Sequence, residues 1–149
     1  MDASPFAVAA ASRREPLDQY RDKLKRLFAF GPSTAPSVDL VQIGSEWTSV
    51  HGVEGITGRD VPLPEGCEHA DDVSLTLFVW DGRFPAHVHE QQETIHVLHG
   101  AIEVLVEGSR HIVRSGDAIT IGAMVEHSGH TIEPAVIICA YHPPLPFAP

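Results

Sequence analysis

The sequence predicts an all-β fold, a sandwich, jelly roll or barrel, preceded by one N-terminal α-helix. Beyond position 37, short apolar or alternating runs follow one another closely and are separated by turn residues such as Asp81-Gly82 and Ser115-Gly116. Short strands at close and regular spacing are typical of all-β domains. With 149 residues, the chain is long enough for one domain with its own hydrophobic core.

The predicted strands set the domain boundaries. They are VDLVQI, VSLTLFVW, TIHVLHG, AIEVLVEG, RHIVRSG, DAITIG and AVIICAYH. Residues 52–72 are polar and irregular, and we expect a loop there with one strand near Ile56. The closing PPLPFAP cannot continue a central strand because proline has no N–H to donate, so we expect it to run extended over the surface. The predicted organisation is an N-terminal extension at 1–31, a barrel at 38–142 and a proline-rich tail at 143–149.

The N-terminal helix is predicted within EPLDQYRDKLKRLFAFGP. Its apolar side chains recur at helical spacing: Leu17, Tyr20, Leu24, Leu27 and Phe28. Pro16 suits the first turn, and Gly31-Pro32 ends the helix. The basic residues on its polar face are interspersed with Asp18 and Asp22, which indicates a solvated face more than a site for an anionic partner. We expect the helix to pack on the domain or on a neighbouring subunit.

The charge and cysteine content exclude several classes of partner. Residues 31–149 carry 4 basic and 16 acidic residues, a net charge of −12 with histidine neutral, and such a surface repels nucleic acid. The apolar run PFAVAAA is too short to cross a membrane and follows Asp2, so it is a poor signal peptide. Cys67 and Cys139 form no metal-binding or disulfide pattern. We therefore expect a cytoplasmic protein without a nucleic-acid or membrane partner.

The stretch HVHEQQE, residues 87–93, contains most of the candidate metal ligands. On a strand, residues i and i+2 point to the same face, so His87 and His89 would project together from the end of one strand. After a bend of three residues, Glu93 opens the next strand and can face the same point. Farther along the chain, either His127 or His130 could complete the set. Such nitrogen and oxygen ligands suit Fe, Mn, Ni, Co, Cu or Zn, with open positions for solvent or substrate.

Two segments resemble the motifs of the cupin family. The run GRFPAHVHEQQETIHVLHG, residues 82–100, resembles the first cupin motif, and GDAITIGAMVEH, residues 116–127, resembles the second. The resemblance spans roughly residues 73–142 and implies a double-stranded β-helix with one divalent transition metal ion inside each barrel. It also implies that the ligands are His87, His89, Glu93 and His127.

The chain departs from the usual motifs without losing a ligand. Four residues instead of five separate Gly82 from His87. Gly122 and Met124 stand where the family commonly has proline and glycine, and position 131, often asparagine, is Thr131. We expect a reshaped turn before the second-motif histidine.

Several residues near the predicted site have two possible roles. His96, His99 and His130 are interpreted as surface, rim or outer-layer residues instead of ligands. The aromatic residues Phe78, Trp80 and Phe84 are predicted to lie in the core, with one ring a candidate for lining the pocket. Arg83 is either a solvated turn residue or an anchor for an anionic substrate. Tyr141 is either a core residue or a proton donor.

The resemblance implies a metal enzyme and leaves the reaction open. Cupins include dioxygenases, isomerases, epimerases, lyases, decarboxylases and cyclases. We expect an enzyme that acts on a small organic molecule, with a dioxygenase reaction first, and Glu93 as both ligand and general base. We also expect a homodimer, because cupin barrels often pair.

A module that binds a ligand without catalysis is the competing hypothesis. WTSVHGVEGITGRD and SLTLFVWDGRFPAHVH are similar to the cupin half of zinc-dependent anti-sigma factors, but the chain has no HxxxCxxC motif near its N-terminus. A third hypothesis, a metal-dependent isomerase or lyase, would favour polar residues around the metal in the case of a sugar substrate.

Overall fold

The computed structural model describes residues 35–147, except 51–52, 64–65 and 67–71. Within these residues the chain forms the strands β1 (Thr48–Ser49), β2 (Ile56–Val61), β3 (Ser74–Trp80), β4 (Arg83–His87), β5 (Gln92–Val106), β6 (Ser109–Arg114), β7 (Ala118–Ile121) and β8 (His127–His142). The predicted N-terminal helix lies outside the described residues, as does Cys67.

The strands pair in antiparallel fashion into a double-stranded β-helix. The order across the sheet is β1-β2-β3-β8-β5-β6, with β4 paired to β8 and β7 paired to β5. The two longest strands, β5 and β8, pair along almost their whole length, from Gln92 opposite His142 to Val106 opposite His127. The predicted all-β fold is confirmed, and the strand expected near Ile56 is β2.

A bulge in β5 joins two runs that the sequence predicted as separate strands, TIHVLHG and AIEVLVEG. The register between β5 and β8 shifts between Val97 and Ile102. Gly100 lies within this bulge with φ of +85°, and a Cβ there would overlap the carbonyl oxygen of Pro134. Only glycine tolerates a positive φ together with so close a contact. The second glycine of the first motif is therefore required by the backbone conformation of the bulge.

The bulge also decides where two histidines point. His99 has the same sequence parity as Glu93, but the register shift turns it to the outside, and His96 is exposed as well. Both therefore lie on the outer surface, as expected.

The hydrophobic core lies between the two halves of the sheet and follows the alternation of the strands. Its most buried members are contributed by several strands: Trp80, Ile95, Val97, Ile102, Val104, Ile121, Ile137 and Cys139. Burying side chains of this size stabilises the fold by about 1.5–3 kcal/mol each relative to leaving them exposed.

Two segments differ from the sequence-based prediction. VDLVQI is not a strand, because its backbone makes isolated hydrogen bonds instead of a continuous ladder; the one bridge there pairs Ser37 with Val88. The tail is extended but does not simply cover the surface. Leu145 is buried in the core, and its N–H donates to the hydroxyl of Ser74. Among the described residues, no helix has the length and apolarity needed to cross a membrane.

We predict that Gly100→Ala destabilises the protein more than Gly108→Ala. The two glycines have almost the same positive φ, +85° and +84°, but no heavy atom lies within 4 Å of a Cβ built at Gly108. The φ penalty alone should cost about 1–2 kcal/mol in both variants, and the overlap with Pro134 adds to it only at Gly100. Urea unfolding of both variants measures the difference. Equal losses would contradict the structural role of the bulge.

Candidate metal centre

The backbone brings all four predicted ligands to one place. His87 is the last residue of β4 and lies opposite His127, the first residue of β8. His89 follows two residues beyond the end of β4, and Glu93 is the second residue of β5. The chain between them turns at Glu90 and Gln91, as the sequence predicted. Of the two downstream candidates, His127 and not His130 joins the cluster.

The donor atoms converge closely. Ligand nitrogens of His87, His89 and His127 all lie within 4.8 Å of one another. The Glu93 Oε1 atom lies 3.1 Å from His89 Nε2 and 3.4 Å from His127 Nε2. His89, His127 and Glu93 are buried, whereas His87 is half-buried. Of the four residues, His87 is therefore the most accessible to solvent.

Each imidazole is held by a hydrogen bond from its Nδ1 atom to a backbone carbonyl two residues away. His87 donates to Pro85 at 2.8 Å, His89 to Gln91 at 2.9 Å and His127 to Val125 at 2.9 Å. Because a carbonyl only accepts, these bonds place the proton of each neutral ring on Nδ1. The Nε2 lone pairs then face one another, which is the arrangement of metal-binding histidines.

The four residues fit a metal cation. The Nε2 atom of His127 is buried without a hydrogen-bond partner among the described residues. The carboxylate of Glu93 accepts hydrogen bonds and cannot donate one, so it faces lone pairs on His89 and His127 unless a cation lies between them. Burying such a group uncompensated costs several kcal/mol. A divalent ion bound by these donors would satisfy the carboxylate and the Nε2 atoms together.

Burial and the neighbouring charges shift the ionisation of the site. Burial lowers the pKa of His87, and His127 adds to this effect. Burial alone would lower the pKa of His127, but the neighbouring carboxylate of Glu93 outweighs this effect and raises that pKa. Although burial would raise the pKa of Glu93, the adjacent imidazoles of His127 and His89, which can donate to the carboxylate when their Nε2 atoms carry a proton, hold it well below its usual range. Glu93 is therefore ionised at neutral pH.

A cavity of about 100 Å³ adjoins the donors, and its walls are almost wholly apolar. They are formed by Leu40, Val50, Val53, Ile56, Phe78, Trp80, Phe84, Ile95, Ile137, Cys139 and Tyr141, beside the four predicted ligands. Among these described residues none is a lysine, an arginine or an amide. All three predicted aromatic residues line the cavity, where the sequence suggested one.

The other candidates lie outside this cavity. Arg83 is exposed and pairs across the sheet with His130, and neither of them lines the cavity. Met124 has a positive φ of +58° and is 55% exposed. The carbonyl of His89 accepts a hydrogen bond from its backbone N–H at 2.7 Å, so the altered turn of the second motif is joined to the first.

Sequence analysis missed Cys139 and Leu40 as contributors to the cavity, whereas it named Tyr141 as either a core residue or a proton donor. Cys139 and Tyr141 lie opposite Ile95 and Glu93 on the neighbouring strand, so they share a face of the sheet with the carboxylate. The alternation of side chains along AVIICAYH could have indicated that Cys139 and Tyr141 share this face. Leu40 lies far from the motifs in sequence and outside any strand, and no local pattern could have placed it at the site.

Comparison with known proteins gives one matching family model and several solved structures with a similar fold. Residues 76–141 match the model of the cupin domain. KdgF from Halomonas sp. is 25% identical with a TM-score of 0.56, over 66% of this chain and 87% of that one. A RmlC-like cupin from Shewanella frigidimarina NCIMB 400 is 16% identical with a TM-score of 0.56, over 71% and 92% of the two chains.

The polyketide cyclase RemF from Streptomyces resistomycificus is 23% identical with a TM-score of 0.54, over 71% of this chain and 79% of that one. The comparison with curated proteins gives no match. These likenesses agree with the double-stranded β-helix described above.

We predict that His89→Ala and His127→Ala each lower metal affinity by about 100-fold or more, because loss of an outer-layer partner alone typically costs 10- to 100-fold. His96→Ala is the matched control, since His96 is exposed on the outer face of β5. Elemental analysis of the purified proteins and metal competition titrations measure the effect. Equal metal content in all three variants would contradict the ligand assignment.

We predict that Cys139 resists alkylation in the folded protein. Its side chain is buried, and burial raises the pKa of the thiol well above its usual value, with the charge of Glu93 acting in the same direction. A raised pKa lowers the thiolate fraction at about pH 8, and the thiolate is the reactive form. Iodoacetamide labelling in a Cys67→Ser background should be slow without urea and fast in urea. Fast labelling of the folded protein would contradict the assignment.

Proposed function

The chain belongs to the cupin superfamily, and we propose that it is a metal-dependent enzyme of the dioxygenase type acting on a small, mainly apolar organic molecule. One observation carries the proposal. Three imidazole nitrogens and a buried carboxylate converge at the wall of an apolar cavity. A closed structural site would need no such adjoining space.

The protein residues prepare the site in three ways. The Nδ1 hydrogen bonds orient His87, His89 and His127, which would hold the metal ion together with Glu93. When bound, the ion would polarise an oxygen of the substrate and, if redox-active, activate O₂. The apolar walls exclude water, which strengthens every charge interaction at the site.

The composition of the walls favours an apolar substrate over a sugar. A polyol needs several hydrogen-bonding side chains to fix its hydroxyl groups, because buried hydroxyl groups without partners cost about 1–3 kcal/mol each. Among the described wall residues, the polar groups beyond the ligand set are the Tyr141 hydroxyl, the Cys139 thiol and the Trp80 indole N–H. Apolar walls also suit O₂, which is itself apolar.

A proton-transfer reaction, as in a lyase or isomerase, is the second candidate. It is favoured by Tyr141, which lies opposite Glu93 across the β5/β8 ladder and lines the same cavity. Burial raises the pKa of the Tyr141 hydroxyl well above its usual value, and the charge of Glu93 adds to this effect. Tyr141 therefore keeps its proton at neutral pH and can donate it, while the carboxylate of Glu93 can accept one.

We predict oxygen uptake by protein loaded anaerobically with Fe²⁺, Mn²⁺, Ni²⁺ or Cu²⁺ and then mixed with small apolar phenols, β-diketones or carboxylates in air. An oxygen electrode measures the uptake, and mass spectrometry with labelled O₂ should find both oxygen atoms in the product. Glu93→Gln should lower the rate by at least about 100-fold, because it removes the negative charge from the site.

The outcomes separate the candidate functions. Turnover of the same panel without oxygen uptake, reduced in Tyr141→Phe, would favour the lyase or isomerase. Tight ligand binding without any turnover would favour the sensing module. Metal-loaded protein that neither binds nor transforms any member of the panel would contradict a catalytic role for this cavity.

A further inference from the structure

The segment Pro36–Ile43, here called the arm, crosses the barrel next to the metal motif. The Val88 N–H donates to the Pro36 carbonyl, and the Val38 N–H donates to the Val88 carbonyl, both at 2.9 Å. Val88 is the residue between His87 and His89. Both backbone groups of that residue are thus used to hold the arm, although the arm precedes the residues that match the cupin domain model.

The other end of the arm is held by the C-terminal tail. The Gln42 N–H donates to the carbonyl of Pro146 at 2.8 Å, and the Gln42 side-chain amide donates to the carbonyl of Leu145 at 3.0 Å. Leu145 is itself buried in the core. Leu40 lies between the two points of attachment, so its backbone has little freedom to move away from the barrel.

Leu40 lines two cavities. It lines the metal cavity and packs against the hydrophobic core. It also lines a second cavity of about 220 Å³, together with other arm residues, Gln91 and Met124. Among the described residues, Leu40 is the one that lines both spaces. A shorter side chain at position 40 would enlarge the metal cavity.

We propose that the arm is the substrate-selecting wall of the metal cavity and that Leu40 sets the largest apolar group that fits beside the metal. The inference rests on the proposed function, because it places the substrate in the same cavity. Van der Waals contact with a tethered leucine excludes larger groups, since a wall segment held at both ends cannot move away without breaking its hydrogen bonds.

The charge of the site defines the class of ligand. A divalent ion with the single carboxylate of Glu93 leaves one net positive charge in apolar surroundings. None of the described wall residues outside the ligand set carries a formal charge at neutral pH. A small apolar molecule with one anionic oxygen, such as a carboxylate, compensates this charge and buries its apolar part against the arm.

Cobalt provides a test that does not depend on turnover. The full-length chain is loaded with Co²⁺, whose visible absorption responds to a change of ligands, and is titrated with benzoate and with the larger 2-naphthoate. Calorimetry measures both affinities independently. Leu40→Ala should raise the affinity for 2-naphthoate relative to benzoate by about tenfold or more, and Leu40→Phe should weaken the binding of both probes by a similar factor.

Val41→Ala is the matched control, because Val41 is the neighbouring arm residue and lines the second cavity but not the metal cavity. It should rank the two probes as the unmodified protein does. If the Leu40 variants also keep that ranking and affinity while binding Co²⁺ normally, the role of the arm is wrong and the metal centre stands. If Co²⁺ does not bind the unmodified chain, or is retained by His127→Ala, the proposed function fails and the inference fails with it.

Discussion

Curvature of the β5/β8 ladder is the constraint on which the site depends. Glu93 lies near one end of this ladder and His127 at the other, opposite Val106. Thirteen residues of straight strand would separate the two ends by roughly 40 Å. The closest side-chain atoms of Glu93 and His127 are instead 3.4 Å apart. The long strands therefore curl until their ends meet, and the bulge at Gly100, together with pairing of β4 to β8, accommodates this closure.

Closure of the barrel brings buried hydrogen-bond acceptors together, and a cation between them would stabilise this arrangement. Closure buries an ionised carboxylate next to the Nε2 atoms of two imidazoles, while backbone carbonyls accept hydrogen bonds from the Nδ1 atoms of the same rings. Protons or a metal ion can occupy the space between these acceptors. The nitrogen and oxygen donors suit a divalent transition metal, and the ligands come from different parts of the chain, so metal binding and folding of the barrel are expected to be linked.

The cavity determines the chemical surroundings of the candidate metal centre. Its walls are built from the core itself, because Ile95, Ile137 and Trp80 are both core members and wall residues. The same packing that stabilises the barrel thus also forms the apolar walls of the site. Polar chemistry is restricted to the ligands and to a few residues close to them, such as Tyr141. This restriction limits the reactions that the site can support and the molecules that can enter it.

Segments outside the two motifs complete the site. The arm and the tail are not strands, yet Leu40 and Leu145 are packed into the barrel. Their positions depend on hydrogen bonds to Val88 and between Gln42 and the tail. The lining of the cavity therefore depends on segments that lie outside both motifs and contribute no candidate ligand.

The sequence by itself determined the all-β class, most strands and three candidate ligands, His87, His89 and Glu93; its local pattern left the fourth open between His127 and His130, and the resemblance to the cupin motifs implied His127. These features follow from local patterns: alternation of apolar residues, turn residues, and two histidines one residue apart before a glutamate. The tertiary structure decided what has no local signal. It chose His127 over His130, turned His99 outwards through the bulge, buried Leu145 and placed Leu40 at the cavity. Each of these outcomes depends on how distant strands pair and curl, and register and closure are properties of the whole sheet.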